Sequence, residues 1–159
     1  MSVLNIVKMG HPILRKKASS VKNVHEVKKL VSDMKNTLEF IGASGLAAPQ
    51  VMENKRLVVY RVNKNRIPKN ANFKQQSWTV MINPIIKPLN KKKELYWERC
   101  LSIPGLHGRV PRYSKIKVSY TNLNNEIVEH IATSTWSALI QHECDHLDGI
   151  LYPMRMKDF

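Results

Sequence analysis

The sequence predicts an α+β fold, with antiparallel sheets packed around a central metal-binding helix and one amphipathic helix nearer the N-terminus. Three observations predict it. Apolar residues from Val27 to Ile41 recur at three- and four-residue steps. Short β-branched runs between residues 57 and 131 are separated by turn-forming residues. A second helical stretch, after residue 133, carries His142-Glu143-Cys144-Asp145-His146. The chain of 159 residues suits one domain around one core, taken as residues 1–159.

Residues 1–22 read as an irregular arm with apolar anchors, because Gly10 and Pro12 interrupt regular structure. Asn23 reads as an N-cap, with Glu26 three residues on as in a capping box. Val27, Leu30, Val31, Met34, Leu38 and Ile41 then form the apolar stripe of a helix over 24–41, closed by Gly42. Residues 42–50, Gly-Ala-Ser-Gly-Leu-Ala-Ala-Pro-Gln, crowd small side chains together and read first as a tight loop from helix to strand. Pro49 excludes a plain helix interior.

Leu57–Val62 reads as a strand and residues 63–77 as a basic surface loop. Trp78–Asn83 is a second strand, stopped by Pro84, with a short edge strand at Ile85-Ile86. Residues 90–94 read as a lysine-rich turn. Cys100 lies in an apolar, aromatic segment, and the Pro104, Gly105, Gly108 and Pro111 cluster after it is loop-like. Lys115–Tyr120 alternates as a strand does. A turn at 122–125 and the run Glu126–Ile131 complete a hairpin. Thr133 or Ser134 can cap the last helix, which runs to Gly149.

Hydrophobic residues make up 43% of the chain, which sets aside a disordered protein. The two cysteines, Cys100 and Cys144, do not form a disulfide scaffold and suit a reducing compartment. The N-terminus lacks a signal-peptide pattern, and no apolar run could span a bilayer. The expectation is a bacterial cytoplasmic protein without membrane contact, with an organelle matrix as the alternative. The net charge of +14 favours nucleic acid, a ribosome or an anionic surface, or else is a solvated lysine coat. No nucleic-acid-binding module is recognisable, so the charge speaks for an environment and not for a chemistry.

His142 and His146, four residues apart, share one helix face and can grip one metal ion. Glu143 stands one step round, where a carboxylate can take a proton from water. A chance match on a surface helix is the plain alternative. Cys100 is either a buried small hydrophobe or a third ligand. Cys144 falls on the far side of the helix from the histidines and reads as a buried thiol. His11, His25, His107 and His130 lack ligand spacing.

Gly45-Leu46-Ala47-Ala48-Pro49-Gln50, Glu98-Arg99-Cys100-Leu101-Ser102 and Gln141-His142-Glu143-Cys144-Asp145-His146, in this order and spacing, resemble the three signature motifs of peptide deformylases. Gly10–Arg15, Ile103-Pro104-Gly105 and Val110-Pro111-Arg112 also look like that family, and the resemblance covers essentially the whole chain. Ordinary H-E-x-x-H proteases take their third ligand from downstream, whereas Cys100 lies upstream. The chain stops soon after the metal helix, as in the shorter-tailed bacterial and organellar forms.

The resemblance implies a metal held by Cys100, His142 and His146, one divalent ion per chain. Fe(II) is the expected metal in the cell, and zinc or nickel can occupy the same ligands. It implies that Glu143 takes the proton of the attacking water and passes one to the leaving amine. The Gln50 amide and the Leu101 backbone N–H would steady the oxyanion. The products would be formate and a peptide with a free N-terminal methionine. The formyl-methionyl nascent peptide would lie extended beside Ser44, Gly45, Leu46 and Arg99. Its methionine would enter an apolar pocket, for which Trp136 and Leu139 are candidates, with plain core packing as the other reading. Contact with ribosomal RNA would be electrostatic.

Two positions depart from the family pattern. Ala43 and Arg99 stand where glycine is usual, and a glycine-only backbone at Arg99 would distort the substrate edge. Glu98 is expected to pair with Arg112. A non-catalytic relative that binds ribosomes or peptides is the second reading, and a metallopeptidase the third.

Overall fold

The computed structural model describes residues 2–156; the end of the tail, up to Phe159, lies outside the described residues. Among the described residues seven strands and two α-helices follow one another: α1 (Lys28–Ile41), β1 (Gly45–Ala47), β2 (Leu57–Val62), β3 (Gln76–Pro88), β4 (Lys93–Cys100), β5 (Ile103–Tyr113), β6 (Lys115–Thr121), β7 (Ile127–Thr133) and α2 (Ser134–Leu147). β1, β2, β3, β6 and β7, in that order, form one antiparallel sheet, and β4 and β5 form a separate antiparallel ribbon. Among the described residues no helix is long and apolar enough to cross a membrane.

The apolar run of β2 is continuous because both its faces are covered. Val58, Tyr60 and Val62 join a cluster with Trp136, Ile140 and Leu147 of α2. Leu57 and Val59 point the other way, into a cluster with Val31, Met34 and Leu38 of α1. Each fully buried aliphatic side chain of this kind contributes about 1.5–3 kcal/mol relative to leaving it in water. A third cluster joins the arm to the ribbon through Leu14, Cys100, Ile103, Val110, Leu151 and Tyr152.

Several local expectations are corrected. The Asn23 side chain accepts from the His25 N–H at 3.0 Å, but it opens a 3-10 turn over Val24–Val27, and the α-helix proper starts at Lys28. Gly42 closes that helix in the left-handed conformation, φ 76°. Thr133 precedes α2 without a side-chain cap. Pro84 does not stop its strand. Asn83 takes φ 52° and makes a bulge that carries β3 past the proline to Pro88. The Asn83 amide then grips the arm, accepting from the Val21 N–H and donating to the Val21 carbonyl, both at 2.9 Å. Lys93 and Glu94 belong to β4 instead of a turn. The expected loop at residues 104–111 lies within β5, whose register slips between Gly108 and Ile103, and Gly105 takes φ 78° in that slip.

The arm is tied to three parts of the site. The Val7 N–H donates to the Gln50 carbonyl at 2.8 Å, Met9 N–H to Ser102 at 2.7 Å, and Ala18 N–H to Leu147 at 2.8 Å. It passes so close to Gly149 (φ 72°) that a Cβ there would lie 2.6 Å from the Arg15 carbonyl.

Candidate metal centre

Cys100 ends β4, where a two-residue turn, Leu101-Ser102, leads into β5 at Ile103. His142 and His146 come from successive turns of α2. The three bring one ligand atom each to within 4.8 Å of one another, and all three residues are buried. Cys100 Sγ lies 3.4 Å from His146 Nε2.

A chain of buried ion pairs orients His142. Its Nδ1 lies 2.7 Å from Glu98 Oε1, which fixes the ring and leaves Nε2 for a metal. Arg112 donates to both Glu98 oxygens, at 2.7 and 2.8 Å, and also pairs with Asp145. The expected Glu98–Arg112 pair is therefore present, and Asp145 extends it to Arg155 at 2.8 Å. Burial pushes the Glu98 carboxyl up, but Arg112 and His142 outweigh it and hold the carboxyl below its usual range. Burial disfavours charge on His142, yet its Cys100 and Glu98 partners raise it to about 10, whereas burial drives His146 well below its ordinary value.

Glu143 is 3% exposed, and burial pushes its carboxyl up to about 7. A Cβ on Gly45 would lie 2.6 Å from Glu143 Oε1, so glycine at that place leaves room for the carboxylate. Glu143 Oε2 and His146 Nδ1 are buried with no hydrogen-bond partner in the protein. Buried polar atoms are nearly always satisfied, so an unpaired carboxylate oxygen beside a thiol and two imidazoles suits a centre built to hold a metal and its water.

Gln50 sits in a 3-10 turn over Ala48–Val51 that begins around Pro49. Its Oε1 accepts from the Ala47 N–H at 3.0 Å. Its Nε2 is thereby aimed at the centre, 3.5 Å from Cys100 Sγ and 3.2 Å from Ser102 Oγ. Leu101 is half-buried at the turn, and Lys8 Nζ donates to its carbonyl at 3.1 Å.

Ser44 and Gly45 are half-buried on or beside β1, the edge strand of the sheet. Leu46 sends its side chain into the core with α1, so only its backbone can face a ligand. Leu139 is half-buried, one turn before Glu143. Trp136 is buried in the core cluster with Tyr60, Ile140 and Leu147, as its core-packing reading expects. Its indole N–H donates to the Tyr60 hydroxyl at 3.1 Å, and its ring stacks on His130 with centroids 5.0 Å apart. Arg99 is exposed and lies outside the left-handed region, so no glycine-only backbone is required there. Sequence reasoning missed Tyr152, whose ring stacks on His142 with centroids 6.2 Å apart, and the arm's clasp on Gln50 and Ser102. Neither has a local signal, because each depends on a distant segment folding back.

A thiol and two imidazoles around one point, with a buried carboxylate alongside and an amide aimed inward, define a metallohydrolase centre. The family model described as polypeptide deformylase matches residues 3–159. Curated relatives include peptide deformylase 1 of Nitrosomonas europaea, 37% identical over 96% of this chain and 87% of the relative. Peptide deformylase 2 of Ralstonia nicotianae is 40% identical over 97% of this chain and 87% of its own length. A ligand-bound class I type b peptide deformylase from Acinetobacter baumannii superposes with TM-score 0.90 at 33% identity, covering 98% of this chain and all of the other. The chain belongs to the peptide deformylase family.

Proposed function

We propose that this chain is a metal-dependent hydrolase that removes the N-formyl group from the initiator methionine of nascent peptides and releases formate. Family membership supports the reaction. The observation that supports the site assignment is the convergence of Cys100, His142 and His146 with unpaired Glu143 beside them. The H-E-x-x-H helix is read as the axis of a single catalytic domain.

Cys100, His142 and His146 would hold the ion, which when bound polarises the formyl carbonyl and acidifies water. Fe(II) is the metal expected in the cell, with zinc or nickel as substitutes on a ligand set that does not discriminate among them. Glu143 takes the proton from the attacking water and passes a proton to the leaving amine. Glu98 keeps His142 in the tautomer that leaves Nε2 free, and Arg112 keeps Glu98 ionised. The Gln50 amide and the Leu101 N–H donate to the oxygen on which charge develops.

The peptide lies extended between two strands with an unpaired edge, β1 at Ser44–Leu46 and β4 at Arg99. Hydrogen bonds to both would hold it as an added strand. Leu139 remains a candidate wall of the methionine pocket. The lysine-rich surface of a chain with net charge +14 would attract ribosomal RNA, and the cytoplasm is the compartment these features suit.

Three peptides separate this reading from a binding protein and from a peptidase. Metal-loaded protein is given a formyl-Met peptide, its unformylated twin and an internal-bond reporter. Formate from the first alone is the expected result. No turnover at full metal content favours a binding role, and cleavage of the reporter favours a peptidase.

A further inference from the structure

We infer that Arg99 selects substrates by charge, favouring an acidic side chain within the two residues that follow the methionine. The inference rests on the deformylase reading above. Side chains of β4 alternate between its two faces. Glu98 and Cys100 point inward and are buried, at 8% exposure each. Arg99 is exposed and projects from the outer face, opposite the buried Cys100 thiol that follows it in the chain. Leu95 and Trp97 share that face and are 56% and 68% exposed. The register shifts between Glu98 and Cys100, where four residues of β5 face the single residue Arg99 of β4.

Among the described residues Arg99 forms no ion pair and no side-chain hydrogen bond. The side chains across the ribbon offer Arg99 no carboxylate. Arg109, opposite Trp97 in the ribbon, lies over the Trp97 ring at 5.8 Å, and His107 packs against the same ring at 5.2 Å. Glu98, the acidic neighbour, is turned inward to Arg112 and His142. Among the described residues, the outer face of the ribbon next to the site thus presents a positive charge with no acidic partner. A peptide paired with the free edge of β4 places alternate side chains on this face, within reach of a long arginine. A carboxylate there gains a charge-assisted pair, and a lysine meets repulsion from Arg99 with Arg109 behind it.

The test measures kcat/KM on C-terminally amidated formyl-Met peptides carrying Asp, Asn or Lys at the second or the third position. The parent is compared with Arg99→Gln and Arg99→Glu. For exposed charges the expected preference for Asp over Lys is about fivefold at low salt, shrinking as salt is added. Arg99→Gln should flatten the ratio and Arg99→Glu should reverse it, with Asn peptides as the internal reference for each variant. Turnover of the Asn peptides with no charge preference at either position, or a preference that survives both substitutions, overturns the role of Arg99 and leaves the deformylase reading intact. No formate from any peptide overturns both.

Discussion

Gly45 and Glu143 are packed so closely that a single methyl group on Gly45 would stand 2.6 Å from the Glu143 carboxylate oxygen. The first motif and the H-E-x-x-H helix are thus one fitted surface. Gly45→Ala should lower kcat/KM by about a hundredfold by displacing the carboxylate, while metal content and unfolding midpoint stay near those of the parent. Steady-state kinetics with metal analysis checks it. Parent-like turnover would show that Glu143 tolerates the shift.

Arg112 lies between Glu98 and Asp145 with 2% exposure. Removing it leaves two buried carboxylates without their shared cation. Arg112→Gln should destabilise the fold by about 3–5 kcal/mol in urea titration. Glu98→Gln should instead weaken metal affinity about 10–100-fold through His142, as a metal-competition titration would read. A variant at position 112 as stable as the parent would show that the pairs add nothing to the fold.

The arm depends on Gly149, whose positive φ and closeness to the Arg15 backbone admit no side chain. Gly149→Ala should cost about 1–3 kcal/mol. It should also speed hydrogen exchange at the Ala18 N–H, which is bound to the Leu147 carbonyl. Unchanged exchange there would separate the arm from the turn.

His130 sits between the Tyr120 ring, edge-on at 5.7 Å, and the Trp136 ring, and its Nε2 has no partner. Burial lowers its proton affinity below the usual value of 6.5. The unfolded chain therefore binds more protons than the folded one just below pH 6.5. This group's contribution is fully present above that pH and is lost as pH falls toward the folded value. Unfolding titrations across pH 5–7 should show a shallower loss of stability in His130→Phe than in the parent. Parallel curves would contradict it.

Much of this was legible from local pattern. The α1 stripe, the β6–β7 hairpin and the H-E-x-x-H spacing are each written within one short continuous segment. Cys100 was legible as a ligand only by its company, since its own segment reads equally as buried core. The rest is non-local. Pro84 breaks a strand by ordinary rules, but Asn83 in a left-handed bulge carries β3 past it and holds the arm as well. Residues 104–111 carry two prolines and two glycines and still pair with β4 over much of their length. Trp136 shares a helix with the site, yet Tyr60, 76 residues away, takes its indole N–H, and His130 of the preceding strand stacks on its ring.

In the proposed mechanism Glu143 moves the proton in a centre formed by Cys100, His142 and His146. The most direct measurement is formate release from a formyl-Met-Ala-Ser peptide by anaerobically prepared Fe(II) protein, beside Glu143→Gln at the same metal content. The parent should turn over, and the variant should be slower by about a hundredfold or more while binding one metal per chain. A variant that releases formate at the parent rate would exclude Glu143 as the proton carrier.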